Sequence, residues 1–371
     1  MSGDNYAGAR RVLIFRIGSL GDNAVALPSL HLLARTFPFA RRVMLTNVPI
    51  TTKAPSSASI IGGSGLVHGF MPYRVATRNV FELVRLWWQL IRFNPDFVIY
   101  LMPFRGVEAM KRDILFFRAA GVRRIIGLPD ETTFFPVLDE KTRMFEKEAE
   151  RLARAISVLG DAKLQEPESW DLCLTASETQ FAHHALSSLA ARPFITLAPG
   201  TKMQSKDWGN ENWSLLLRKL SPALPGHGLV LVGADEDFAD CESISAAWVG
   251  PKLNLCGRLA PRQTAAVIKR GSIFIGPDSG PMHLAAAVGV PCAIAFSARG
   301  NPGVWFPTGE RNTIVYHKTK CFGCNLETCI EHQKVCLTSI SVDEMFQAVM
   351  GALDPASEAC ELREVETLKV I

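Results

Sequence analysis

The chain has 371 residues, 48% of them hydrophobic, and a formal net charge of +4. That length and apolar content fill two buried cores, which makes two domains the expectation. No apolar run approaches ~20 residues, the first residues hold no signal-peptide core, and nine cysteines are an odd number with Cys256 and Cys292 inside apolar strands, so spanning and secreted disulfide-framed classes are disfavoured and a cytoplasmic protein is expected.

In chain order, short β-branched runs alternate with helical patterns, which predicts an α/β chain built on parallel sheets. The first series has strands at Arg11–Phe15, Val43–Thr46, Phe97–Leu101 and Arg124–Gly127, with helices at Asn23–Thr36, Val80–Arg92, Val107–Ala120 and Lys141–Leu159. Residues 48–73 are rich in Gly, Ser and Pro and read as one long loop. A polar stretch, Gly160–Thr175, reads as the linker, followed by a helix from Glu178 to Ala190. The second series has strands near Phe194–Ala198, Leu229–Val232, Leu253–Cys256, Ile273–Ile275 and Cys292–Phe296, separated by helices at Glu211–Leu220, Asp237–Ala247, Arg262–Lys269 and Met282–Val288. The same architecture is thus expected twice, as residues 1–175 and 176–353, with 354–371 as a tail.

The first strand runs into Gly18-Ser19-Leu20-Gly21-Asp22. Two glycines permit a tight turn, and a helix start offers unpaired amides to an anion. A dinucleotide fold would need G-x-G-x-x-G and an acid ending the second strand, whereas Thr46-Asn47 stands there, so a nicotinamide or flavin enzyme is disfavoured. Asp22 has a plain role as a helix cap. The second series offers Gly200-Thr201 with Lys206 close behind, a donor and a cation suited to a diphosphate, although an exposed lysine would read the same way. Then comes Gly276-Pro277-Asp278-Ser279-Gly280-Pro281-Met282-His283. Pro281 and a cap at Ser279 or Gly280 fit a helix start whose dipole would stabilise a leaving nucleoside diphosphate. Asp278 would repel that group, so its carboxylate is expected on sugar hydroxyls or the local backbone. His283 is either a structural core histidine or a donor to the diphosphate.

Taken together in this order, Val12–Asp22 with Leu27–Leu30, Leu197–Thr201, Lys206-Asp207-Trp208, Leu255–Arg258 and Asp278–Ala287 resemble the heptosyltransferases of glycosyltransferase family 9, enzymes of lipopolysaccharide inner-core assembly. The resemblance implies the GT-B fold: two Rossmann-like, doubly wound parallel-sheet domains facing a central cleft, the first holding a saccharide or glycolipid acceptor and the second a nucleotide-sugar donor such as ADP-heptose. It implies inverting transfer with Asp22 as general base and Gly18, Ser19 and Gly21 as the acceptor-side loop. Gly200, Thr201, Lys206, Asp278, Ser279, Gly280 and His283 would line the donor site, with Asp235 or Glu236 holding ribose hydroxyls. No cofactor is required by that chemistry. Another sugar donor or a protein acceptor on the same scaffold is the nearest alternative, and a catalytically silent scaffold is another. The chain departs from the family at Ser297–Pro302, where Arg299 is a candidate replacement for phosphate contacts.

Three features stand outside that pattern. Cys321, Cys324, Cys329 and Cys336 place four thiols within sixteen residues, which suits a structural zinc, reduced thiols or a facultative disulfide. Residues 1–130 hold 17 Lys and Arg against 7 Asp and Glu, while the remainder holds 23 against 29. That basic excess suits an anionic partner, or is an uneven spread of solvated charge. Trp87 and Trp88 beside Arg85 and Arg92 read either as core packing or as peripheral contact with the anionic inner membrane at its cytoplasmic face. A zinc-supported nucleic-acid-binding protein is the reading from another class, but the basic excess and the cysteines lie in opposite halves, so no nucleic acid is expected.

Overall fold

The computed structural model describes residues 6, 8–48, 55–75, 77–103, 105–130 and 135–354, so the expected tail lies outside them after Asp354. The chain divides into two compact units, Met1–Lys141 with Glu146–Cys173, and Thr142–Phe145 with Leu174–Ile371.

In the first unit, β1 (Arg11–Phe15), β2 (Arg41–Asn47), β3 (Gly69–Tyr73), β4 (Phe97–Tyr100) and β5 (Ile125–Ile126) form a sheet in the order β3-β2-β1-β4-β5. Every pairing is parallel. Val12, Leu13 and Ile14 are fully buried, as a strand covered on both faces requires. The helices are α1 (Leu20–Ala24), α2 (Leu27–Thr36), α3 (Ser57–Ile61), α4 (Val80–Phe93), α5 (Val107–Ala119) and α6 (Glu148–Ala155), and a short strand β6 spans Leu138–Asp139. The side chain of Asn79 caps α4 by accepting from the amides of Phe81 and Glu82, and Asn94 ends it in the left-handed region.

Three expectations for this unit need correction. The span read as one helix from Asn23 is two, because the chain breaks at Val25–Ala26 and restarts with Pro28 in the first turn of α2. The span 48–73 is not a plain loop: beyond 49–54, which lie outside the described residues, it contains α3 and β3. Strand β3 escaped notice because it carries Pro72, a residue tolerated only where the sheet has an open edge, and β3 is that edge. The helix expected from Lys141 begins only at Glu148, and 3-10 turns at Ser157–Leu159 close it.

The second unit begins with β7 (Met144–Phe145), where the Phe145 amide donates to the Pro302 carbonyl at 2.8 Å. Its sheet joins β8 (Phe194–Leu197), β9 (Gly228–Leu231), β10 (Lys252–Asn254), β11 (Ile273–Pro277), β12 (Cys292–Phe296) and β13 (Asn312–Tyr316) in the order β10-β9-β8-β11-β12-β13. All pairings are again parallel. Around it lie α7 (Ala176–Ala185), α8 (Asn210–Ala223), α9 (Phe238–Ser245), α10 (Pro261–Ile268), α11 (Gly280–Ala287), α12 (Val335–Thr338) and α13 (Val342–Leu353). The helix expected to run to Ala190 stops at Ala185, and β13 is a strand the sequence pattern did not single out. Ile195, Leu197, Ile273 and Ile275 pack into one apolar cluster while Phe194, Phe274 and Ile294 pack into another. That alternation buries both faces of the sheet.

In each sheet the strand order reverses beside the first strand, between β1 and β4 and between β8 and β11. Crossovers leave such a pair in opposite directions, so a crevice opens at its carboxyl end. Both glycine turns singled out in the sequence follow the first strand of such a pair.

Candidate functional site

In the first unit the turn after β1 is held by Asp22 from within and by Asn47 from β2. Gly18 has φ +140°, and a Cβ there would lie 2.3 Å from Cβ and Cγ of Asp22, so only glycine lets the backbone pass that carboxylate. Oδ2 of Asp22 accepts the Ser19 amide at 2.8 Å, the capping role available to an acid at the third helical position. The amide of Gly18 donates to Oδ1 of Asn47 at 2.8 Å. Asn47 ends β2, where a dinucleotide fold would carry an acid, and here it anchors the turn.

Beneath lies a buried charged group. Arg16 is fully buried and donates to the carbonyls of Leu101 at 2.8 Å and Asp22 at 2.6 Å. Its Nη1 lies 3.5 Å from Glu148, which also receives a two-pronged bond from Arg151 at 2.7 and 2.8 Å. Burial lowers the Arg16 pKa, and the charges of Glu148 and Asp22 oppose that shift. Arg16 thereby ties the α1 turn to the end of β4 across the switch point. A second cluster, unmarked in the sequence, joins the Tyr100 hydroxyl to Asp113 at 2.9 Å and Arg105 to the same oxygen. Burial raises the Asp113 pKa even though Arg105 and Tyr100 favour its charged form.

In the second unit the turn after β8 and the helix after β11 meet. Gly276 is needed because a Cβ there would lie 2.9 Å from the Ala198 carbonyl, so the two strand ends come together only with glycine between them. The Lys206 ammonium lies 2.8 Å from Oδ2 of Asp278. Asp278 is buried while part of Lys206 reaches solvent. The carboxylate is thus turned toward the lysine, rather than toward the local backbone as a cap. Ser279 occupies the cap position of α11 with extended backbone but makes no side-chain cap bond. Its hydroxyl is buried without a hydrogen-bond partner among the described residues, which is costly unless something else satisfies it. Gly280 and Pro281 form the first turn, and the small residues behind them are buried. Thr201 accepts the Met203 amide through its hydroxyl at 3.4 Å. His283 is buried and meets Trp305 edge-on, with ring centroids 6.0 Å apart.

The acids after β9 divide their roles. Asp235 and Glu236 are exposed, and a Cβ on Gly257 would fall 2.6 Å from Oδ1 of Asp235. Asp237, which the sequence reading passed over, is the acid nearest the glycine turn: a Cβ on Gly200 would fall 2.5 Å from its carboxylate. Oδ2 of Asp237 also accepts the Ala234 amide at 2.8 Å. The signal that could have found it is the run Asp235-Glu236-Asp237, in which the third acid suits a first-turn cap.

Arg299 is tied to the neighbouring loop. Its guanidinium donates to the carbonyls of Leu326 at 2.7 Å and Asn325 at 2.6 Å, while the buried Ser297 hydroxyl donates to the Ser205 carbonyl at 2.9 Å. The departure at Ser297–Pro302 therefore braces the loop that carries Lys206. Cys321, Cys324, Cys329 and Cys336 line one small cavity with His332. The Lys334 amide donates to the Cys329 sulfur at 3.4 Å, and burial pushes the Cys336 thiol up. Among the described residues no group of three or more His, Cys, Asp or Glu side chains is arranged to hold a metal ion.

The profile of Glycosyltransferase family 9 (heptosyltransferase) matches residues 114–335, more than half of the chain. The chain is similar to Lipopolysaccharide heptosyltransferase 3 of Escherichia coli, at 31% identity over 108 residues. That stretch is 28% of this chain and spans about a third, 31%, of the relative's length. Among solved structures, a family 9 glycosyl transferase from Veillonella parvula is similar with a TM-score of 0.69 at 17% identity, over 93% of this chain and 97% of that one. The E. coli ADP-heptose lps heptosyltransferase II is similar with a TM-score of 0.63 at 17% identity, over 92% and 98%. These likenesses carry the fold: two Rossmann-like units of the GT-B kind.

Proposed function

The chain belongs to glycosyltransferase family 9, and on that premise we propose that it is an inverting enzyme moving a heptose-like sugar from a nucleoside diphosphate to a saccharide acceptor of lipopolysaccharide core or a related cell-envelope glycan. The E. coli relatives, named for lipopolysaccharide and ADP-heptose, support that choice of donor and acceptor.

The observation that carries the reading is the Lys206–Asp278 pair beside the unsatisfied Ser279 hydroxyl at the β8–β11 switch point. Asp278 uses one face of the ammonium and fixes its position, and the remaining N–H donors serve a diphosphate. Ser279 and the amides opening α11 receive the same group, where the helix dipole favours negative charge. The turn Gly200-Thr201 supplies further donors, and His283 bounds the site. Asp235 and Glu236, both exposed after β9, are assigned to ribose hydroxyls.

In the transfer step the acceptor hydroxyl oxygen attacks the anomeric carbon from the side opposite the diphosphate. One C–O bond forms as the bond to the β-phosphate oxygen breaks, and that electron pair leaves with the nucleoside diphosphate. The acceptor proton passes to the Asp22 carboxylate, which the Ser19 amide holds in place. Leaving-group stabilisation and positioning carry the rest of the barrier. The first unit is the acceptor side and the second the donor side, and no bound metal is needed.

Thermal-shift measurement with ADP, other nucleoside diphosphates and their sugars tests the donor site, and stabilisation by none of them removes it. Transfer assays with Asp22→Asn test the base. Donor binding is expected to persist while kcat falls by a factor of about 10²–10⁴, and full activity in that variant would take the base role from Asp22.

A further inference from the structure

Helix α4 buries Leu86, Leu90 and Phe93 against the first unit's sheet. At about 100° per residue, Val80, Phe81, Val84 and Trp88 fall together within an arc of about 100° on the far side of the helix. All four are open to solvent, at 67%, 87%, 46% and 56% exposure. Trp87, by contrast, packs against the core, so the adjacent indoles do different things. Exposed Arg85 and Arg92 follow one border of the apolar stripe, and exposed Arg78 lies just before the helix. The single acid of α4, Glu82, is taken up by the Thr77 hydroxyl at 2.7 Å and by Arg74 at 3.6 Å. Helix α5 covers the same face of the sheet, packing Phe117 into the same cluster. It exposes Leu115 at 70% among exposed Lys111, Arg112 and Arg118.

An apolar stripe of this length, turned away from the core, has no purpose in packing the unit and marks a contact surface. We propose that α4 is a docking helix that lies flat in the interface of an anionic lipid bilayer, with Phe81 and Trp88 as its inserted side chains and Arg78, Arg85 and Arg92 on lipid phosphates. The charge pattern selects lipid as the occupant. Side chains of this kind sink to the headgroup–acyl boundary while guanidiniums stay with the phosphates. A two-fold contact with a second copy would set the same basic borders against each other. Residues 1–130, with 17 basic against 7 acidic side chains, supply longer-range attraction of the same sign. Nothing in this placement depends on transfer chemistry.

Co-sedimentation of the full chain with vesicles tests it. Retention is expected on phosphatidylcholine vesicles containing phosphatidylglycerol, with little on phosphatidylcholine alone, and it should weaken as salt rises. The pair Phe81→Ser with Trp88→Ser is expected to lower retention at least about tenfold, with the unfolding temperature and ADP response kept. Arg85→Glu with Arg92→Glu should remove the preference for anionic lipid. Failure of the native chain to bind anionic vesicles at low salt overturns the proposal, as does undiminished binding by the Phe81 and Trp88 variant. So does a solution dimer that this variant dissociates without any vesicle binding, which would assign the face to a second copy.

Discussion

The two glycine turns share a place in the fold, each at the carboxyl end of a strand beside a switch point, yet they hold their acids differently: a backbone amide holds Asp22 and a lysine holds Asp278. In the first turn Asn47 holds Gly18, Asp22 holds Ser19, and Arg16 is buried with Glu148 and Arg151 beneath, although Nε of Arg16 and Oδ1 of Asn23 are buried without a hydrogen-bond partner among the described residues. The second leaves the Ser279 hydroxyl buried and unsatisfied, and leaves part of Lys206 in solvent beside Asp278. The Ser19 amide holds the Asp22 carboxylate still, as its proposed role of proton acceptor needs. In the proposed transfer, Lys206 and the Ser279 hydroxyl are the groups that receive the diphosphate.

The largest effect that could break this contrast is at Glu148. Its replacement by alanine removes the acid paired with both Arg151 and Arg16, leaving Arg16 only the charge of Asp22, and about 3–5 kcal/mol of stability should be lost from the first unit. Urea unfolding measures this, and a loss below about 1 kcal/mol would mean that the charged group does not hold the turn. Next comes Gly18→Ala, which forces a Cβ against Asp22 at a positive φ. A cost of about 2 kcal/mol is expected, together with loss of transfer activity but retained ADP binding. Gly276→Ala should do the reverse, weakening ADP binding by parting β8 from β11.

A smaller effect is pH-linked and confined to the second unit. Burial of Glu178 opposes its charge, but the hydrogen bonds from Arg262 and from the Thr175 amide and hydroxyl outweigh it, so its pKa is lowered. A folded pKa below the unfolded one means that the stabilisation is complete above the unfolded value and is lost as pH falls through the folded one. Glu178→Gln should therefore cost about 1 kcal/mol near neutral pH and flatten the acid limb of the stability curve below the ordinary glutamate range. The smallest effect is at Ser279. Its change to alanine should leave stability unchanged or slightly raised, because an unsatisfied buried hydroxyl is removed, while ADP affinity falls by about threefold to tenfold. A matching loss of stability would show that the hydroxyl has a partner within the protein.

Much of this was legible in the sequence because it is local. The alternation of apolar strands with amphipathic helices, the Gly18 and Gly200 turns and the start of α11 at Gly280 are set by neighbouring residues through hydrophobic period, glycine's conformational freedom and proline's fixed φ. The family resemblance rests on the order of those local pieces. Edge strand β3 was missed for a local reason as well, since Pro72 argues against a strand until its position at the sheet edge is known.

What the tertiary structure alone decided involves residues far apart in the chain. Lys206 and Asp278 come together because β8 and β11 are neighbours in the sheet, although β9 and β10 intervene in sequence. Asn47 reaches Gly18 through the pairing of β1 with β2, and Glu148 reaches Arg16 from α6. The same holds for exposure: Trp87 and Trp88 are adjacent, and only the packing of α4 on its sheet determines that one faces the core and the other solvent. Sequence pattern records what each residue prefers, whereas strand order and packing determine which distant groups share a low-dielectric space, where pairing, desolvation and unsatisfied polar atoms acquire their energy.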